Sequence, residues 1–213
     1  MINIADITNT VIRADCLDIM RGLPDKCIDL VLTDPPYGIG MDGGNVGYRG
    51  FNDFKKLAWD KSAPPREYFD EIMRISKNQI IFGGNYFNLM PTRCFVVWDK
   101  GEGFYGRTYA ECEYIWTSFD RNSRIIKRDP LANGDYRGKL HPTMKPEYVI
   151  KKLVLNFSTP GTTIFDPFAG SGTTAIACLE TGRNYICIEK EPDYVEIINK
   201  RIAQWKEQGR LFA

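Results

Sequence analysis

Thr163-Ile164-Phe165-Asp166-Pro167-Phe168-Ala169-Gly170-Ser171-Gly172-Thr173-Thr174 runs from a short β-branched stretch through a glycine turn into an apolar segment with helical character. Strand, Gly-x-Gly turn and helix in that order open a βαβ unit, and Tyr185-Ile186-Cys187-Ile188 supplies its second strand. Outward from this unit, further runs rich in β-branched residues stand at Val11-Ile12-Arg13, Ile28-Asp29-Leu30-Val31-Leu32, Gln79-Ile80-Ile81-Phe82, Cys94-Phe95-Val96-Val97-Trp98 and Glu113-Tyr114-Ile115-Trp116. Helices are expected at 66–76 after Pro64-Pro65, at 147–157 after Pro146, at 173–181 and at 192–208, where Tyr194, Ile197, Ile198 and Ile202 keep helical spacing. The alternation predicts an α/β fold, a doubly wound, mostly parallel sheet of seven strands in a single domain over 1–213.

Composition narrows the function classes. The 213 residues carry 28 Lys+Arg against 27 Asp+Glu, so no global charge announces a polyanionic partner. The excess is local: between Arg121 and Lys145, seven basic residues face Asp129 and Asp135, a surplus of +5 in a chain of net charge +1. One histidine and six cysteines without a Cys-x-x-Cys pair give no metal cluster and no disulfide framework, so no metal is expected. The absence of a long apolar run or a leader-like start predicts no membrane partner and a cytoplasmic location. Gly38 to Ala63, with six glycines up to Gly50 and Tyr48, Phe51 and Trp59 among them, is too long for an ordinary connection and is expected to be a mobile substrate loop over 38–63.

At the glycine turn, Gly170, Ser171, Gly172 and Thr173 let a small ligand approach the backbone. With Ala175 the string also satisfies Gly-x-Gly-x-x-Ala, and Glu189 ends the next strand where a carboxylate can accept from ribose hydroxyls, so a nicotinamide dinucleotide remains open. Asp166 argues otherwise, because its charge beside the turn would repel a pyrophosphate and attract an ammonium. S-adenosyl-L-methionine offers that ammonium and a ribose with no phosphate.

Thr33-Asp34-Pro35-Pro36-Tyr37 ends another apolar strand, at the sheet edge where ligands collect. The two prolines hold Asp34 and Pro35 in extended geometry, so the carboxylate and the Pro35 carbonyl are rigid acceptors suited to an amino group with two hydrogens. Accepting both hydrogens turns the lone pair of a nucleobase amine out of conjugation, and the carboxylate stabilises positive charge developing on nitrogen. Tyr37 supplies a ring for a base flipped out of a duplex.

Together with His141-Pro142-Thr143-Met144-Lys145-Pro146, these strings resemble the amino-group DNA methyltransferases, in the class whose tetrapeptide precedes the cofactor turn. The resemblance implies a Rossmann-like methyltransferase fold with circularly permuted motif order, S-adenosyl-L-methionine as cofactor and DNA as partner, with a homodimer possible. It implies catalytic roles for Asp34, Pro35, Pro36 and Tyr37, and cofactor contacts from Phe168, Gly170 and Gly172 of the turn, from Glu189 on the ribose and from Asp15 toward the adenine. Asp15 also reads as the N-cap of a helix beginning near Leu17. Thr143 and Lys145 are implied to meet the cofactor's carboxylate, while Met144 replaces a common Gln and His141 reads as fold-supporting. No cysteine follows a proline, which excludes carbon-5 cytosine chemistry. Aspartate at position 34 resembles adenine-N6 enzymes more than cytosine-N4 enzymes, and 121–140 is the expected DNA-recognition segment.

Overall fold

The computed structural model describes residues 1–41 and 59–211. Among them, eight strands form one sheet: β1 (Thr10–Arg13), β2 (Ile28–Thr33), β3 (Ser76–Phe82), β4 (Phe95–Asp99), β5 (Cys112–Thr117), β6 (Arg124–Lys127), β7 (Thr163–Asp166) and β8 (Asn184–Glu189). Their order is β1-β8-β7-β2-β3-β5-β4-β6. Only β5 runs antiparallel to its neighbours, β3 and β4. The helices are α1 (Ile4–Ile7), α2 (Cys16–Arg21), α3 (Arg66–Ile75), α4 (Glu147–Phe157), α5 (Thr173–Thr181) and α6 (Pro192–Leu211).

The seven expected strands are all present, and the count is corrected by β6. That strand, Arg124-Ile125-Ile126-Lys127, buries only Ile126. It pairs parallel with β4 at the end of the sheet, and its flanking cations give it the polar character of an edge strand, which in sequence looks like a loop. The expected recognition segment, 121–140, therefore includes a strand of the sheet. Most of the expected substrate loop, 42–58, lies outside the described residues.

Alternation within the strands makes two cores. Leu30, Leu32, Ile80, Phe82 and Ile164 pack with α4 and α5, whereas Val31, Ile81, Phe165, Ile186 and Ile188 pack with α2 and α3. Because β2 is paired on both edges and covered on both faces, five of its six residues are buried. Helix α3 follows Pro65 and buries Phe69, Ile72 and Ile75, three residues apart. Each such burial contributes about 1.5–3 kcal/mol.

This winding positions the site. From β2 the chain crosses through α3 to β3 on one side, and from β7 it crosses through α5 to β8 on the other. β2 and β7 are adjacent, so their carboxyl ends flank the point where the winding reverses and a crevice opens. Gly172 caps α5 at φ 76°, and a Cβ there would lie 2.7 Å from Ile198 Cγ2 of α6. Gly172→Ala is therefore expected to destabilise the protein by about 1–3 kcal/mol in urea unfolding, through backbone strain and displacement of α6.

Candidate active site

Thr33 closes β2 and Asp166 closes β7, and the Thr33 hydroxyl donates to Asp166 Oδ1 at 2.9 Å. Asp166 Oδ2 accepts from Thr174 of α5 at 2.6 Å, and Oδ1 also accepts from the Phe168 amide at 3.2 Å. One buried carboxylate thus ties β2, β7, the glycine turn and α5 together. Burial pushes its pKa up to about 6, against the hydrogen bonds, with the Asp34 charge adding to the rise.

The glycine turn folds onto the next strand. Gly170 adopts φ 52° and its amide donates to Glu189 Oε2 at 2.8 Å, while the Glu191 backbone amide donates to Oε1 at 2.8 Å. Burial raises the Glu189 carboxyl to about 7 despite these donors. Arg201 of α6 donates to the Ser171 carbonyl, anchoring the turn from behind. On the other side, Asp15 accepts from the Leu17 amide at 3.0 Å as the N-cap of α2 and from the Tyr68 hydroxyl at 3.0 Å. The capping reading of Asp15 is correct, and the same carboxylate faces the crevice.

These ends enclose a cavity of about 500 Å³ whose lining includes Asp15, Asp34, Pro36, Thr143, Lys145, Asp166, Phe168, Gly170, Ser171, Thr173 and Glu189. Eleven of the fourteen residues singled out in the sequence meet here; Pro35, Tyr37 and Gly172 do not line it. Gly172 packs closely against Ile198 of α6. The Tyr37 hydroxyl donates to Asp34 Oδ1 at 2.6 Å, and its ring stacks on Tyr86 at 4.7 Å and 10°. His141 is buried between Trp59 and Tyr194, and burial together with Lys145 and Lys139 lowers its pKa to about 3, as suits a neutral fold-supporting ring.

Lys145 lines the cavity and also has protein partners. Its ammonium pairs with Asp34 Oδ2 and lies 3.5 Å from Glu113 Oε2, so in this structure it serves two protein carboxylates. Burial would lower its pKa, but Asp34 and Glu113 outweigh burial and raise it. Burial raises the Asp34 pKa, with Lys145 opposing the rise. Glu113 (β5) and Lys100, paired at 2.9 Å, were not found from the sequence. Asp60 was also missed: its carboxylate accepts from the Gly38 and Met41 amides, both at 2.7 Å, and so joins the described ends of the 38–63 segment.

The chemistry of the donor set fits a cationic, ribose-bearing ligand, since Asp15, Asp166 and Glu189 all reach one cavity. Fold and site together define a doubly wound methyltransferase class. The pattern of a DNA methylase family covering N6 and N4 enzymes matches residues 97–200. M.HinfI, a type II methyltransferase of Haemophilus influenzae, is 28% identical over 96% of this chain and 71% of its own. The Escherichia coli (strain K12) protein named "Putative methylase YubD" is 30% identical over 90% of this chain and 89% of its own. The solved complex of M1.HpyAVI with S-adenosylmethionine superposes with a TM-score of 0.57 at 23% identity, covering 90% of this chain and 98% of that one. The chain belongs to the amino-group DNA methyltransferase family and is a DNA methyltransferase that uses S-adenosyl-L-methionine. The nicotinamide alternative falls with that assignment.

Thr33→Val removes one donor from a buried carboxylate and is expected to cost about 1–3 kcal/mol in urea unfolding. The sign with pH follows from Asp166, whose folded pKa of about 6 lies above its ordinary 3.8. The ionised form is the one penalised by folding, so the cost of the variant should be small at acid pH and grow as pH rises through about 6.

Proposed function

We propose that the protein methylates the exocyclic N6 of adenine in DNA. The observation that carries this reading is the placement of Asp34 and Asp166 at adjacent strand ends in one cavity, joined through Thr33. Bound S-adenosylmethionine supplies an electrophilic methyl group. Asp34 and the Pro35 carbonyl accept the two hydrogens of the target amine, leaving its lone pair free, and Asp34 stabilises the positive charge that develops on nitrogen. Pro36 keeps this geometry rigid. The Tyr37 hydroxyl orients the carboxylate, and the ring face opposite Tyr86 is assigned to stacking with the extrahelical base. Asp166 receives the cofactor's ammonium, Glu189 its ribose hydroxyls, and Asp15 and Phe168 lie toward its adenine. Gly170, Ser171 and Thr173 line the space between, and Thr143 closes its edge.

Adenine is preferred over cytosine because aspartate leads the tetrapeptide. DNA contacts are assigned within 121–140 to Arg124, Lys127 and Arg137, which are exposed. Arg121 is held over Phe119 and Phe157, and Arg128 pairs with Asp135 at 2.6 Å.

Incubation with mixed-sequence DNA and methyl-labelled cofactor, followed by nucleoside analysis, is expected to yield N6-methyladenine. N4-methylcytosine would move the reading to the other amine. Asp34→Ala should reduce methyl transfer by at least about a thousandfold while the cofactor dissociation constant changes only a few-fold; wild-type turnover would remove Asp34 from the mechanism.

Cofactor binding should also release protons. Asp166 and Glu189 have pKa values raised to about 6 and about 7. A ligand that donates to both stabilises their ionised forms, so affinity should fall as pH drops below about 7. Calorimetry in two buffers of different ionisation enthalpy reads this directly, and a pH-independent affinity would contradict the two assignments.

A further inference from the structure

Lys145 occupies the place of a target amine. Its ammonium engages Asp34 Oδ2 and lies 5.5 Å from the centroid of the Tyr37 ring, so one buried cation, 9% exposed, already meets the acceptor and the ring assigned above to the base. While it stays, a base amine and the ammonium compete for the same oxygen. A cation there also opposes positive charge developing on the attacking nitrogen.

A second position for the ammonium lies within reach. Glu113 Oε2 is buried and is already ion-paired with Lys145 Nζ, at 3.5 Å, a distance long for a charge-assisted hydrogen bond. Its other oxygen is held by Lys100 at 2.9 Å, and Lys100 is itself fixed over Trp98 and Phe104 at 5.2 and 5.4 Å. At 3.5 Å the charge-assisted bond from Lys145 to Glu113 Oε2 is not fully made, and a closer approach of the same ammonium would complete it. Glu113 is not among the residues that line the cofactor cavity. Moving Lys145 from Asp34 to Glu113 leaves the total charge of these groups unchanged.

We propose that Lys145 is a displaceable stand-in for the target amine, holding Asp34 and Tyr37 in place until the base arrives and then shifting onto Glu113 Oε2. Glu113 is thereby a positioning residue for methyl transfer. The exchange makes and breaks hydrogen bonds only, and it rests on the amine-accepting role of Asp34.

Two measurements test it on the full chain. In nitrogen-15 spectra of lysine ammonium groups without DNA or cofactor, the Lys145 signal is identified by its loss in Lys145→Arg. Asp34→Asn should keep that signal, because Glu113 takes the ammonium, and the double variant Asp34→Asn with Glu113→Gln should lose it. Loss already in the single variant, or persistence in the double one, overturns the second position. In steady-state methylation, Glu113→Gln should lower kcat at least about tenfold, the size of one charge-assisted hydrogen bond, with KM for the cofactor within about twofold. Glu113→Asp should recover much of that rate. An unchanged kcat in Glu113→Gln, or a loss confined to cofactor KM, overturns the role of Glu113. A wild-type chain that methylates no DNA amine would refute the proposed function instead, and the ammonium spectra would still decide where Lys145 can sit.

Discussion

The Thr33 to Asp166 hydrogen bond joins the two strands whose helices depart in opposite directions. At such a switch point neighbouring loops diverge, and nothing in the sheet ladder itself holds their first residues together. Asp166 provides that hold by accepting from β2, from the glycine turn and from α5 while buried. It is an expensive tie, since desolvation raises its pKa to about 6. A carboxylate kept under such strain is also a strong acceptor for an incoming cation, so the group that organises the crevice is the one suited to receive the cofactor.

From this tie the remaining polar groups fall into two sets. Asp15, Asp166 and Glu189 face the cavity from α2, β7 and β8, and form an acidic surface around the cofactor space. Asp34, Lys145, Glu113 and Lys100 form a chain of ion pairs running away from it toward β5 and the loop after β4. Asp34 belongs to both, because it lines the cavity and ends the chain. In the proposed reaction the first set would hold the cofactor and the second would set the charge beside the attacking nitrogen.

How far this was legible in the sequence depends on the range of each interaction. The strand, turn and helix around Asp166 and the rigid tetrapeptide at Asp34 are local patterns, and local sterics write them into consecutive residues. Strand β6 was not legible because an edge strand needs one buried side chain, Ile126, and its two cations read as loop. Glu113 was hidden for another reason. In Cys112-Glu113-Tyr114-Ile115-Trp116 it looks like the solvated residue of an alternating strand, and only the return of Lys145 from a segment some thirty residues onward reveals a buried partner. The pairing of Lys145 with Asp34 and Glu113 was hidden for the same reason: a motif names a lysine, and only the fold brings these two carboxylates to it. Tyr37 likewise reads as a free stacking face until Tyr86, from the turn after β3, is found against it.

The most direct test of the account is a crystal structure with S-adenosylmethionine bound. The account predicts the methionine ammonium within hydrogen-bond distance of Asp166, the ribose on Glu189 and the sulfonium methyl directed toward Asp34. A cofactor seated with its methionine end away from the β2 and β7 strand ends, or with Asp166 still satisfied only by Thr33, Thr174 and Phe168, would contradict it.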